Sequence, residues 1–247
     1  MTIEVIMPQV LLALDTSTDF CSVAICYTPH ATSSPCIISR HEHTGSTSST
    51  RVLPAVCEVL EEARLTLSNC VAVAFGAGPG SFTGLRTAAG VAQGLSFGLG
   101  IPVVPVSTLL ACAERVRLSD PDARRVLVVL NARMGEVYWA DFSWDDILED
   151  WRVCRPATLT LSTCIPVPDE PFTLAGNASS ISDMLYVTKQ ARVIDCYAMP
   201  HAHALALVGW RIFMDGCALP AHLAVPEYVR DKVALTINEI ASGHLRS

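Results

Sequence analysis

Ala77-Gly78-Pro79-Gly80-Ser81-Phe82-Thr83-Gly84-Leu85-Arg86 follows the short apolar run at 71–75 and opens a small-residue stretch ending near Gly100. A strand, a glycine-rich turn and a helix start, in that order, present backbone N–H groups to an anion. The chemistry of the known phosphate loops is missing, however. No Lys follows the glycines, so this is not a Walker-type loop. After Gly76-Ala77-Gly78, Ser81 stands where the dinucleotide fingerprint needs its third Gly. The serine of Gly80-Ser81-Phe82-Thr83-Gly84 is off centre for a nucleophile elbow. Two readings stay open: a phosphate cradle put to another use, or a tight strand-to-helix turn.

With 247 residues and 51% hydrophobic content, the chain can build one large domain or two ordinary ones. Its formal net charge is −7, and Lys189 and Lys232 are its only lysines. Nucleic-acid affinity rests on neutralising phosphates, so the chain alone is ill suited to that task. Ten cysteines are scattered without a Cys-x-x-Cys pair, and residues 1–10 carry no basic leader. These features predict a cytoplasmic protein whose reduced thiols serve as small core residues, with no metal site. Residues 87–113 hold no formal charge, a run longer than the ~20 residues of a membrane span. Gln93, Ser96 and the prolines of Ile101-Pro102-Val103-Val104-Pro105-Val106 favour a soluble helix–strand–helix unit instead.

Strands are predicted at 10–14 and 21–27, turned by Asp15-Thr16-Ser17-Thr18-Asp19, with a third at 36–41. Val52, Leu53, Val56, Val59, Leu60 and Ala63 recur at helical spacing over 50–64. Ser107 is placed to N-cap a helix running to 116. The polar stretch 115–125 divides the chain into lobes at 1–118 and 119–247, a terminal helix returning to the first lobe being one option. A second hairpin is expected at 126–132 and 136–142, then a helix at 179–186, a strand at 191–196 and a helix at 202–214. Two halves that each open on a hairpin predict an α/β, two-lobed actin/Hsp70/sugar-kinase-like (ASKHA) fold, with mixed sheets flanked by helices. In that architecture Asp15, Thr16 and Ser17 form the turn that handles Mg²⁺ and phosphate. The matching turn of the second half, Leu130-Asn131-Ala132-Arg133-Met134-Gly135-Glu136, has a neutral Asn131 where a carboxylate would hold the cation. Ala175-Gly176-Asn177-Ala178 offers a single glycine to an adenine. Half of a nucleotide site is therefore expected, and no cofactor.

Four segments carry a family resemblance: Leu12-Ala13-Leu14-Asp15-Thr16-Ser17; Gly78 through Arg86; Ala132-Arg133 with Gly135-Glu136-Val137-Tyr138; and Pro226-Glu227-Tyr228-Val229-Arg230-Asp231-Lys232-Val233-Ala234. Together they resemble the bacterial TsaB (YeaZ) family, from about Val10 to Ala234. The resemblance implies a non-catalytic, activating and scaffolding subunit with no catalytic residues of its own. Its complex transfers threonylcarbamoyl to N6 of adenosine 37 in tRNAs that read ANN codons (t6A synthesis). The implied partners are a TsaD-like catalytic paralogue and a TsaE-like ATPase, with tRNA reached only through the complex, a homodimer possible in isolation, and no membrane. The family usually has Asp where this chain has Asn131. Residues before Val10 fall outside the resemblance, and Met7 is an alternative start. The catalytic paralogue carries a His-x-x-x-His metal pair. This chain has only His41-Glu42-His43 and His201-Ala202-His203, expected to be surface or cap histidines.

Gly90, Gly94 and Gly98 recur every four residues in the helix after the glycine segment. Each costs ~1 kcal/mol of helix stability relative to Ala, so a close neighbour is expected to compensate. One reading packs them on the chain's own sheet. The other, favoured by the resemblance, makes them a partner interface together with Val52, Val56 and Val59. Arg86 is disfavoured at the helix N-terminus by charge; it is expected either to pair with a carboxylate or reach a loop carbonyl, or to be a solvated Arg. The alternative function is an ATP-binding hydrolase or glycoprotease-like peptidase acting alone, with Ser81 or Thr83 as nucleophile.

Overall fold

The computed structural model describes residues 8–29 and 35–229. The first sheet holds β1 (Val10–Asp15), β2 (Phe20–Tyr27), β3 (Cys36–His43), β4 (Cys70–Gly78) and β5 (Val103–Ser107), in the order β3-β2-β1-β4-β5. β1–β2 and β2–β3 are antiparallel, whereas β1–β4 and β4–β5 are parallel. All six residues of β1 are buried, as expected for a central strand covered on both faces. Leu12 and Leu14 join one apolar cluster with α1 (Ser48–Glu62) and α2 (Phe82–Leu99). Leu11 and Ala13 join another on the opposite face, the alternation that strand geometry dictates.

The second sheet holds β6 (Arg125–Asn131), β7 (Glu136–Asp145), β8 (Asp150–Leu161), β9 (Thr173–Ala175) and β10 (Val193–Asp195), ordered β8-β7-β6-β9-β10. Its pairings repeat the first sheet's: β6–β7 and β7–β8 antiparallel, β6–β9 and β9–β10 parallel. This repeated five-strand plan, invisible residue by residue, is the duplicated ASKHA architecture. The second hairpin is longer than expected. β8 escaped sequence reading because only Trp151 of its twelve residues is buried and because Pro156 interrupts it; both are marks of an edge strand. The helix expected at 179–186 resolves into 3₁₀ turns and the four-residue α4 (Leu185–Thr188).

α3 (Thr108–Ser119) lies between the sheets, contributing Ala111 to the first and Leu109, Cys112, Ala113 and Val116 to the second. Ser107 caps it, its hydroxyl accepting from the Leu110 N–H at 3.4 Å. α5 (Ala202–Met214) follows the second sheet in sequence but packs Ala202, Leu205, Ala206 and Val208 on the first. Four of the ten cysteines are buried, but Cys57, Cys154, Cys164 and Cys217 are exposed, so core filling explains only part of the set. No helix among the described residues is long and apolar enough to cross a membrane. The alternative start at Met7 and the motif residues from Arg230 onward lie outside the described residues.

Candidate functional site

β1 delivers Asp15 to the C-terminal edge of the first sheet, where the parallel neighbour β4 also ends. Asp15, Thr16 and Ser17 are all buried. The Asp15 Oδ1 accepts from the Ser17 N–H at 3.1 Å and the Ser17 hydroxyl at 2.9 Å. Its Oδ2 has no hydrogen-bond partner among the described residues. Burial pushes the carboxyl up to about 6, and the two Ser17 hydrogen bonds oppose that rise. Any side chain at Gly76 would collide with this carboxylate.

The glycine segment folds directly onto this turn. Ser81 N–H donates to Ser17 O at 2.7 Å, and the Thr16 hydroxyl donates to Gly84 O at 2.7 Å. The Thr108 hydroxyl, from the start of α3, holds Pro79 O, and the Gly78–Pro79 peptide is cis. A Cβ at Gly80 would approach Ser17 to 2.7 Å, and one at Gly84 would strike Thr16 O. These glycines permit backbone to lie on backbone, and the Ser81 N–H that could have met an anion is spent on Ser17. The far side is closed by Glu227, whose N–H donates to Ala77 O at 2.8 Å. Ser81 is an N-cap, its hydroxyl facing the Gly84 N–H.

In the second lobe, Asn131 N–H donates to Asn177 Oδ1 at 2.9 Å, while Asn131 Oδ1 accepts from Arg133 N–H at 2.8 Å. Arg133, Met134 and Gly135 all adopt positive φ, a tight turn closed by the side chain of Asn131. The neutral amide thus works inside its own hairpin.

Among the described residues, Arg86 meets neither a carboxylate nor a carbonyl. Its Nε donates to the Tyr228 hydroxyl at 3.0 Å, and its guanidinium lies 3.9 Å over the Phe82 ring. Phe82 and Tyr228 are themselves 5.5 Å apart, so the Arg86 clasp pins the chain's return onto the glycine segment. Tyr228 was legible only as part of a motif; its contact role was not.

The expected partner surface needs correction on α1. Val52, Val56 and Val59 are buried against the chain's own first sheet, so they cannot form an exposed interface. The outward face of α1 instead carries Leu53, Pro54 and Cys57. α2 is the reverse. Gly90, Gly94 and Gly98 are exposed, and a Cβ at any of them would meet nothing within 4 Å. Packing on the chain's own sheet does not explain them. Phe97, on the same helix, is 83% exposed. An ion-pair network missed in the sequence ties β3 to α1: Arg51 holds Glu42 through two hydrogen bonds and Glu58 through a third, and Arg40 holds Glu62.

The two histidine pairs, far apart in sequence, come together, His41 stacking on His201 at 4.2 Å between ring centroids. His43 is exposed and His201 N-caps α5, as expected, while His41, His201 and His203 are half-buried. No group of three or more His, Cys, Asp or Glu that could hold a metal occurs among the described residues.

A family model described as TsaD, tRNA N6-adenosine threonylcarbamoyltransferase, matches residues 41–236. The solved structure named YeaZ from Pseudomonas aeruginosa superposes with a TM-score of 0.79 at 34% identity, covering 89% of this chain and 99% of that one. The chain belongs to the TsaB/YeaZ family. Curated relatives named tRNA threonylcarbamoyladenosine biosynthesis protein TsaB are 40% identical over 159 residues in Haemophilus influenzae and 40% over 136 residues in Escherichia coli. Those alignments span 64% and 56% of the relatives' own lengths, under two thirds of each. Against the family resemblance, Asn131 is the departure, and the structure gives it a local, turn-closing part.

Proposed function

We propose that this TsaB/YeaZ-family chain is a non-catalytic subunit in threonylcarbamoyladenosine synthesis, activating a TsaD-like transferase that modifies N6 of adenosine 37 in tRNA. The observation that carries this reading is the sealed Asp15 turn. The Asp15 carboxylate of the fold's phosphate site is buried beneath the chain's own glycine segment, and the matching turn of the opposite lobe carries the neutral Asn131. The open face of α2, with its bare glycine stripe and Phe97, supports helix-to-helix docking of the paralogue, because small residues let two backbones approach closely. A TsaE-like ATPase completes the assembly, and tRNA is held by the complex, since a chain of net charge −7 is poorly placed to bind phosphates alone. The protein acts in the cytoplasm.

The hydrolase alternative loses support at Ser81 and Thr83: the first serves as a helix cap, and neither is bonded to a His or a carboxylate among the described residues. Reconstitution decides between the two. The purified chain should turn over no ATP, and tRNA modification by the paralogue and ATPase should require its addition. ATP turnover by the chain alone, lost in Asp15→Ala, overturns the proposal.

A further inference from the structure

Beside the stacked histidines, at the junction of the lobes, opens a cleft of about 510 Å³. Its walls include Ser39 of β3, Arg115 and Ser119 of α3, Asp195 at the end of β10, and His201 and His203 at the start of α5. Neither the Asp15 turn nor α2 lines it, so it is distinct from both features used above. A volume of this size is within the usual ~300–1,000 Å³ range of small-molecule sites.

The polar groups of this cleft are unevenly satisfied. Arg40, Arg51, Arg125 and Arg211 each grip a carboxylate. The Arg115 guanidinium makes no hydrogen bond or ion pair among the described residues, although Asp195 lines the same cleft. Asp195 uses Oδ1 to accept from the Tyr197 N–H at 3.0 Å. His201 Nδ1 accepts from the His203 N–H at 3.0 Å, so its neutral ring keeps the proton on Nε2 as a donor. The N-terminus of α5 adds its partial positive charge at the same end. One end of the cleft is therefore rich in donors, and the other presents a carboxylate. A simple anion would satisfy the first and be repelled by the second.

We propose that this cleft binds a small molecule carrying an oxyanion at one end and an amine at the other. Arg115, His201 and His203 receive the oxyanion, and Asp195 receives the ammonium. Such a ligand pairs the two charges that the protein brings near each other but does not join.

The test titrates the full chain by calorimetry with O-phosphoethanolamine and with β-alanine, which separate a phosphate from a carboxylate oxyanion. Inorganic phosphate and acetate serve as amine-free references. One of the two zwitterions should bind saturably, about tenfold more tightly than its amine-free reference. Arg115→Ala should abolish that binding. Asp195→Asn should erase the preference for the zwitterion, weakening its binding while the simple anion, no longer repelled, binds at least as well as before. Arg192→Ala, in a separate arginine-lined cleft of the second lobe, should change nothing. Imidazole resonances of His201 and His203 should move on binding, which reports the site even if one variant folds poorly. No saturable binding of either zwitterion, or binding that survives Arg115→Ala, overturns the proposal.

Discussion

Asp15 and the stacked histidines pull the stability of this protein in opposite directions as pH changes. Asp15 is raised to about 6 by burial, so the folded state binds its proton more tightly than the unfolded chain does. Its contribution is full in acid and is lost as pH rises from about 4 to about 6. His41 is lowered to about 4 by burial and then by Arg115; His201 is lowered to about 3 by burial and then by His41. For these two the sign reverses: their contribution is full above about 6.5 and is lost as pH falls toward the folded values. Two histidines against one carboxyl make the net effect a loss of stability from pH 7 to pH 5. The urea midpoint should therefore drop over that interval. Asp15→Asn, by removing the opposing group, should make the drop steeper, and His41→Phe should make it shallower; a midpoint unchanged with pH in the wild type contradicts the assignment. At this scale the sequence displayed Asp15 and Ser17 plainly, since they are two residues apart. It could not display Tyr228 as the partner of Arg86, because 142 positions separate them and no periodicity links such pairs.

The glycines of one continuous element fall into two classes that demand opposite outcomes. Gly80 and Gly84 sit against backbone of the Asp15 turn, and added atoms there have nowhere to go. Gly80→Ala should lower stability by ~1–3 kcal/mol, the usual cost of overpacking, read as a fall in melting temperature of the isolated chain. Gly94 faces open space, so Gly94→Leu should hold or raise that melting temperature, with up to ~1 kcal/mol gained from helix propensity. The same change should weaken association with the paralogue by about tenfold, equivalent to ~1.4 kcal/mol. A lowered melting temperature with unchanged affinity would remove α2 from the interface. The helical period of α1 and α2 was readable, but the side on which each apolar stripe lands was not. Val52, Val56 and Val59 answer to the sheet beneath them, whereas the α2 glycines answer to nothing among the described residues. β9 and β10, three residues each, are too short to show a period at all.

Across the whole molecule, one ionic knot built around the buried Glu114 joins parts that share no sheet. Arg211 of α5 grips Glu114 of α3 through two hydrogen bonds, at 2.9 and 3.0 Å, and reaches Asp150 of β8 with its Nε. The Trp151 indole N–H donates to the same Glu114 carboxylate at 2.7 Å. Removing one partner strands the rest, so Arg211→Ala should cost ~3–5 kcal/mol, measurable by denaturant titration; Arg211→Met, which keeps the apolar stem, should lose less. The two-lobed plan was legible from the paired hairpins, because each hairpin is local. The equality of strand order in the two sheets was not, since it lies in long-range pairing. The knot was hidden for the same reason.

The placement of α5 also sets an order of events during synthesis. A ribosome releases the chain from its N-terminus, so all five strands of the first sheet emerge well before residue 202. Until α5 arrives, the face bearing Leu11, Ala13, Ala74 and Val106 is covered only in part, by α3 through Leu110 and Ala111. The second lobe is, in effect, an insertion within the first, and must be made before its host can close. A stop between β10 and α5 would therefore leave every strand of both sheets translated and the first sheet without the helix that covers this face.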